Sequence, residues 1–154
     1  MKITEIMRKM VLVDSQDSLE RVILKMIQED VNSVGVVNED DKLVGNIDIV
    51  TLMKAIVPDY VGNRDASLAG FVTLEMFHNF IAENKDKKVQ DFMLQNSKVL
   101  RVDSSAMDAA VTVTEGRQSR IPVLDENDIP VGVITRQSIK LMLGKLLGED
   151  ISHI

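Results

Sequence analysis

The sequence predicts an α/β (α+β) fold: two tandem βαββα units packed sheet to sheet as a pseudo-two-fold pair, with a helical insert between them. Three observations predict it. First, two stretches of the chain match in order and spacing. "ITEIM" (3–7) parallels "VQDFM" (89–93), and "SVGVVNEDDKLVGNID" (33–48) parallels "RIPVLDENDIPVGVIT" (120–135) without a gap; a repeat on this scale has to be settled before any local reading. Second, the apolar pattern within each copy changes from a helical period to short runs bounded by turn residues. Third, a three-stranded sheet with two helices leaves one sheet face uncovered, and a second copy supplies the cover.

Each element follows in order. In the first copy, Leu19, Val22, Ile23, Met26 and Ile27 fall at i, i+3, i+4, i+7 and i+8, one helical face. Asp17, with Glu20 three residues on, resembles a capping box with Asp in the Ser/Thr place. "SVGVV" and "KLVGNI" are short strands around the turn "NEDD", whose Asn and Asp favour tight turns. A helix over "IVTLMKAIV" stops at Pro58. In the second copy "VDSSAMDAA" (102–110) is set against "VDSQDSLERV" (13–22), one residue shorter. Its first helix is expected to face inward through Met107, Ala110, Val111 and Thr114, with Ala109 and Ala110 small enough for close approach. "RIPVL" and "PVGVI" are its paired strands, and "QSIKLMLGKLL" its closing helix. The first repeat is placed at 1–57, the insert at 58–87, and the second repeat with its C-terminal helix at 88–154.

The insert holds the single Tyr and three of the four Phe residues. "PDYVGNRDASLAG" is rich in turn residues. "FVTLEMFHNFIAENK" puts Phe71, Leu74, Phe77, His78 and Ile81 on one stripe, read as a helix covering apolar surface in the subunit or across a dimer; a ligand-sensing lid is the other reading.

Composition narrows the function. There is no cysteine, which removes disulfides and thiolate catalysis and suits a reducing cytosol. The start "MKITEIMRKM" has no uninterrupted apolar run of the signal-peptide kind. No stretch reaches the roughly 20 apolar residues that cross a bilayer. A cytoplasmic chain with no membrane partner is therefore expected. Against 18 Lys and Arg stand 24 Asp and Glu, a net charge of −6. That argues against non-specific nucleic-acid binding, which needs clustered cations, but leaves room for one small anion in a locally positive pocket. The nine methionines read as core filling.

Catalysis and metal binding find no support. His78 and His153 are the only histidines and lie far apart in sequence. "NEDDKLVG" and "DENDIPVG" are acidic but lack the alternating ligands and closing Glu of a calcium loop. No glycine-rich phosphate loop and no nucleophile with an adjacent base occurs. No enzyme activity and no required cofactor are expected.

The chemistry concentrates in "GVITRQS" (132–138), where an apolar strand turns polar at the junction with a helix. Thr135 and Ser138 suit a helix cap. They equally suit a ligand contact, since the crevice beyond strand ends is a common binding place. The two readings are compatible, because a cap and a phosphate compete for the same amide donors.

A duplicated βαββα unit carrying "RIPVLDE" and "PVGVITRQS" resembles the CBS domain, named after cystathionine β-synthase. Two copies resemble one CBS pair, or Bateman module, over residues 1–57 and 88–150, and no catalytic domain, transporter domain or DNA-binding motif is expected once the pair is subtracted. The resemblance implies a stand-alone regulatory module that binds an adenosine-containing ligand (AMP, ADP, ATP or S-adenosylmethionine) in a cleft between the repeats. It also implies a homodimer joined through helices and a conformational signal to a regulated partner of unknown identity. The family pattern on the last strand is Gly, two apolar residues, Thr or Ser, two variable residues, then Asp. Here Thr135 matches, and Ser138 stands where Asp is expected. A ribose would lose a charged acceptor there, and charged acceptors bind about twice as strongly as neutral ones.

The expected site is formed by Thr135, Ser138, Arg120, Arg136 and Pro122, with Val11, Val31, Asn32 and Ser33 flanking an adenine. In some family members an Arg in the place of Arg120 contacts phosphate, which it can do bidentately. The first copy reads Asp48 in the Thr place and Thr51 in the Asp place. A weaker mirror site is therefore expected at Asp48, Thr51, Ser33, Leu100, Gln118 and Ser119, its carboxylate repelling phosphate. The alternative reading is a ligand-free dimerisation or partner-docking scaffold, which Asp48 and Ser138 favour.

Overall fold

Runs of Val and Ile set between Asp, Asn and Gly turns become strands, and the amphipathic stretches between them become helices. A computed structural model of the chain describes residues 1–59, 70, 72–95, 97–116, 118, 120–148 and 150; Tyr60, Phe71, Ser119 and His153 lie outside the described residues. The order is β1 (Leu12–Asp14), α1 (Leu19–Glu29), β2 (Ser33–Val37), β3 (Leu43–Asp48), α2 (Ile49–Ile56), α3 (Leu74–Asn84), β4 (Leu100–Arg101), α4 (Ala106–Glu115), β5 (Arg120–Leu124), β6 (Pro130–Thr135) and α5 (Arg136–Leu146). The strands make two three-stranded sheets, β1-β2-β3 and β4-β5-β6. Each copy is thus βαββα, as expected. Two compact units result. The first-repeat unit comprises Val11–Glu39 and Val44–Gln95; the second-repeat unit comprises Met1–Met10, Asp40–Leu43 and Asn96–Ile154.

In the first-repeat unit β1 runs parallel to β2, with Leu12 opposite Gly35 and Asp14 opposite Val37. Leu19, Val22 and Met26 of α1 enter a core with Val13, Val34, Val36, Ile47, Leu52, Ile56, Phe80 and Val89. Ile27, expected inside, is 69% exposed; the buried arc of α1 is narrower than its apolar spacing suggested. The cap of α1 also differs from expectation. Ser18 Oγ accepts from Arg21 N at 3.2 Å. Asp17 instead accepts from Asp14 N at 2.9 Å, closing the turn before the helix. Helix α3 begins at Thr73, whose Oγ1 accepts from Met76 N. It packs through buried Phe80, with Phe77 and Ile81 partly buried against the same core. Leu74 is 85% exposed and His78 is exposed, so the inward stripe lies one side of the expected one.

In the second-repeat unit β4 runs parallel to β5 and β5 antiparallel to β6, with a bulge between Val123 and Leu124. The core is Ile3, Ile6, Leu100, Ala106, Ala109, Ile121, Val123, Ile134 and Met142. Helix α4 faces inward through Ala106 and Ala109, while Met107 is 64% exposed and Val111 is exposed. Setting "VDS" (102–104) against "VDS" (13–15) displaces the register of this helix by one residue. The strand registers show instead that Leu100 occupies the place of Val13, since they pair with the equivalent Val123 and Val36. Ser105 then matches Ser18 as helix N-cap, without a gap. The two caps still differ in detail: Ser105 and Asp108 bond reciprocally in a capping box.

The leading segments are exchanged. "ITEIM" packs with the second repeat and "VQDFM" with the first. A Cβ on Gly132 would lie 2.7 Å from Met7 Sδ, and one on Gly45 would lie 2.6 Å from Met93 Sδ. Only glycine lets each segment close against its strand.

Candidate functional site

In the second-repeat unit, the end of β6 and the start of α5 form the candidate site. Thr135 is the last residue of β6 and the N-cap of α5, opposite Arg120, the first residue of β5. Antiparallel pairing thus brings the two together at one end of the sheet. The pair Thr135–Ser138 is a reciprocal capping box: Ser138 N donates to Thr135 Oγ1 at 3.3 Å, and Thr135 N donates to Ser138 Oγ at 3.1 Å. Thr135 is 9% exposed and Ser138 is fully buried. The helix-cap role is therefore real at both residues.

Arg120 is half-buried. Burial pushes its pKa below the ordinary value, and among the described residues no carboxylate pairs with its guanidinium. A partly desolvated cation of this kind favours an anion. Gln118 braces the start of β5, donating to Arg120 O at 2.8 Å and to Lys98 O at 3.1 Å and accepting from Lys98 N at 2.9 Å. Arg136 is exposed at the first turn of α5. Pro122 is fully buried opposite Val133, and Leu100 is buried in the core; both offer a site their backbone and packing rather than a free side chain.

The equivalent junction in the first-repeat unit inverts the charge. Asp48 caps α2, its Oδ1 accepting from Thr51 N at 2.8 Å and from Thr51 Oγ1 at 2.9 Å. The position aligned with Arg120 is Ser33, a half-buried neutral residue at the start of β2. Val11 and Val31 are half-buried in this unit; Val11 O accepts from Gly35 N, and Val31 N donates to Met26 O. Asn32 is exposed.

At the other end of β5 a groove of about 920 Å³ is lined by Lys2, Thr4, Arg101, the turn Val102–Ser104, and Leu124–Glu126. Arg101 is engaged there by Asp128 Oδ1 at 2.5 Å and Asp125 O at 3.0 Å. Sequence reasoning did not single out this groove. Its only signal was the placing of Lys2 and Thr4 beside the second repeat, which depends on the exchange of leading segments. Among the described residues, no group of three His, Cys, Asp or Glu residues is placed to hold a metal ion, and no helix is long and apolar enough to cross a membrane.

The sequence profile of the CBS domain matches residues 3–58 and 89–144. The chain belongs to the CBS-domain family. It is 27% identical over 146 residues to the uncharacterized protein MJ1426 of Methanocaldococcus jannaschii, covering 88% of this chain and 87% of that one. The crystal structure of the CBS-pair protein CBSX2 from Arabidopsis thaliana superposes with a TM-score of 0.76 at 18% identity, over 97% of this chain and 98% of that one. CBSX2 in complex with AMP gives 0.69 at 19% identity, over 94% and 98%. The CBS domain pair of MJ0100, in complex with 5′-methylthioadenosine and S-adenosyl-L-methionine, gives 0.67 at 19% identity, over 95% and 98%. At these identities the likeness establishes a CBS-pair fold.

Proposed function

We propose that this CBS pair is a non-catalytic regulatory module that binds an adenosine-containing ligand at the β6–α5 junction and signals the bound state to a partner. The observation that carries the reading is Arg120, a half-buried cation without a carboxylate partner among the described residues, held opposite Thr135 by strand register. A phosphate placed there would gain a charge-assisted contact, and the neutral Thr135–Ser138 box would not repel it. That CBSX2 binds AMP and MJ0100 binds 5′-methylthioadenosine and S-adenosyl-L-methionine supports adenosine as the shared moiety. On this reading the β6–α5 junction supplies Thr135, Ser138, Arg120, Arg136 and Pro122, and the β3–α2 junction, with Asp48 and Thr51, is the poorer site. The module acts as a homodimer.

A second reading has its own observation. The hydroxyls of Thr135 and Ser138 are already engaged by the helix start, and no carboxylate stands where a ribose is expected. A ligand-free docking scaffold would look the same. Isothermal titration with AMP, ATP and S-adenosylmethionine separates the two. Saturation near one ligand per chain, abolished or weakened in Arg120→Ala, supports the sensor. Silence from a protein verified as ligand-free leaves the scaffold.

A further inference from the structure

The two leading segments, alike in sequence, are not held alike. Besides the Lys87 N–Asn84 O bond that continues α3, the middle strap, residues 85–95, makes six backbone hydrogen bonds with the rest of the first-repeat unit, five of them at positions that Met1–Met10 can match. Leu19 N donates to Lys87 O at 2.9 Å, Glu20 N to Lys85 O at 3.0 Å, Val89 N to Asp17 O at 2.9 Å and Gln90 N to Ser15 O at 3.0 Å; Asn46 and Leu94 exchange two more at 2.9 Å each. Side chains add to this, with Gln16 bonded to both Gln90 and Lys88. The N-terminal strap, Met1–Met10, keeps the equivalent of the last pair, Arg8 N to Val133 O at 2.8 Å and Val133 N to Arg8 O at 2.9 Å. Its third bond, Ala106 N to Met1 O, has lengthened to 3.4 Å.

The bonds corresponding to Val89–Asp17 and Gln90–Ser15 would join Ile3 to Ser104 and Thr4 to Val102. The N-terminal strap keeps the antiparallel bridge Lys2–Ser105, the counterpart of Ser18–Lys88, but neither of these two bonds closes to hydrogen-bond distance among the described residues. In their place lies the groove of about 920 Å³, with Lys2 and Thr4 on one wall and Val102–Ser104 on the other. The N-terminal strap is therefore bridged beside this turn, as the middle strap is beside its own, but more loosely bonded to it. Ile3 and Ile6 still anchor it by burial in the core.

We infer that the N-terminal strap is a latch: it opens while the sheet and helices of its unit stay folded, whereas the middle strap opens only with its unit. Local openings of this kind belong to segments with few backbone bonds to the rest of the structure. The latch straddles the proposed ligand junction. β6 holds it through Val133, two residues before Thr135, and α5 holds it through Lys145 Nζ, which donates to Glu5 O at 3.2 Å. A shift of α5 against β6 at Thr135 changes both holds at once. The signalling role, though not the latch itself, rests on the function proposed above.

Amide hydrogen exchange on the full chain tests this, because Val133 N–H and Asn46 N–H each report directly on strap docking. Val133 and Arg8 are expected to exchange at least about tenfold faster than the amides paired between β5 and β6, with Asn46 and Leu94 as slow as the core of their own unit. Lys145→Ala is expected to speed Val133 and Arg8 about three- to tenfold, the worth of one hydrogen bond, and to leave Asn46 unchanged. Exchange of Val133 and Arg8 together with the β5–β6 amides, or Asn46 as fast as Val133, overturns the latch. With AMP at a concentration that titration shows to be saturating, Val133 should slow. Saturation without slowing removes the signalling role, and failure of AMP to bind counts against the proposed function while the ligand-free exchange rates still decide the latch.

Discussion

The two strand-to-helix junctions, β6–α5 and β3–α2, are equivalent by sequence and by fold, yet they carry opposite charge. One has Thr135 and Ser138 with the half-buried Arg120 opposite; the other has Asp48 and Thr51, with Ser33 in the aligned place. Both perform the same local task, because a helix start needs an oxygen acceptor for its free amides and either hydroxyl or carboxylate supplies it. That shared demand leaves the charge free to differ. The lesson is that duplication preserves the cap and lets the charge beside it diverge.

The largest effect expected to break this comparison comes from Arg120→Ala. Titration should show AMP affinity falling about 10- to 100-fold, the worth of a hydrogen bond to a charged group, with adenosine nearly unaffected. Equal losses for both would mean that Arg120 shapes the site instead of meeting phosphate. Next, Ser138→Asp should sharpen the difference. A charged ribose acceptor is expected to strengthen adenosine binding about tenfold, while urea melts of the ligand-free chain show a loss, since the position is fully buried.

Smaller effects address the shared task. Thr135→Ala and Asp48→Ala should each cost about 1 kcal/mol in denaturant melts, and exchanging the caps, as Asp48→Thr, only a few tenths. A large penalty for the exchange would show that the carboxylate does more than cap. Acid should also separate the units. Glu5, bonded to the Lys2 amide, and Asp108, bonded to the Ser105 amide, have pKa values held below their ordinary 4.5 and 3.8, and both lie in the second-repeat unit. A lowered carboxylate pKa stabilises the fold above the ordinary value and is lost as pH falls through the folded one. Amides of the second-repeat unit are thus expected to lose protection below about pH 4, and Asp108→Asn should flatten that dependence.

The smallest expected effect lies in the hairpin turns, where Asp41 and Asp128 share a left-handed backbone, φ 61° and 65°. Asp41→Gly should stabilise by up to about 1 kcal/mol, by relieving the cost of that conformation. Asp128→Gly should be near neutral, since it also removes an exposed ion pair to Arg101, and such pairs are worth about 0–1 kcal/mol.

Much of this was legible in the residues. The repeat, both strand pairs and the closing helices follow from apolar runs, Asn/Asp turns and Pro58, because these act over a few neighbouring residues. The candidate junction was legible too, as a polar break after "GVI". The inward faces of α1, α3 and α4 were less so. Ile27, Leu74 and Met107 carry the right spacing but face solvent, since spacing defines an arc and only packing against a particular sheet selects its centre. The half-burial of Arg120 likewise needed the β5–β6 register. Least legible was the exchange of leading segments. "ITEIM" precedes the first repeat, and its Met7 packs on Gly132, 125 positions away. By itself the sequence determined two like units and the groups at their strand ends, which depend on short-range chemistry. The tertiary structure decided which segment closes which core, because two similar straps fit two similar glycine-bearing strands and only chain connectivity and packing distinguish them.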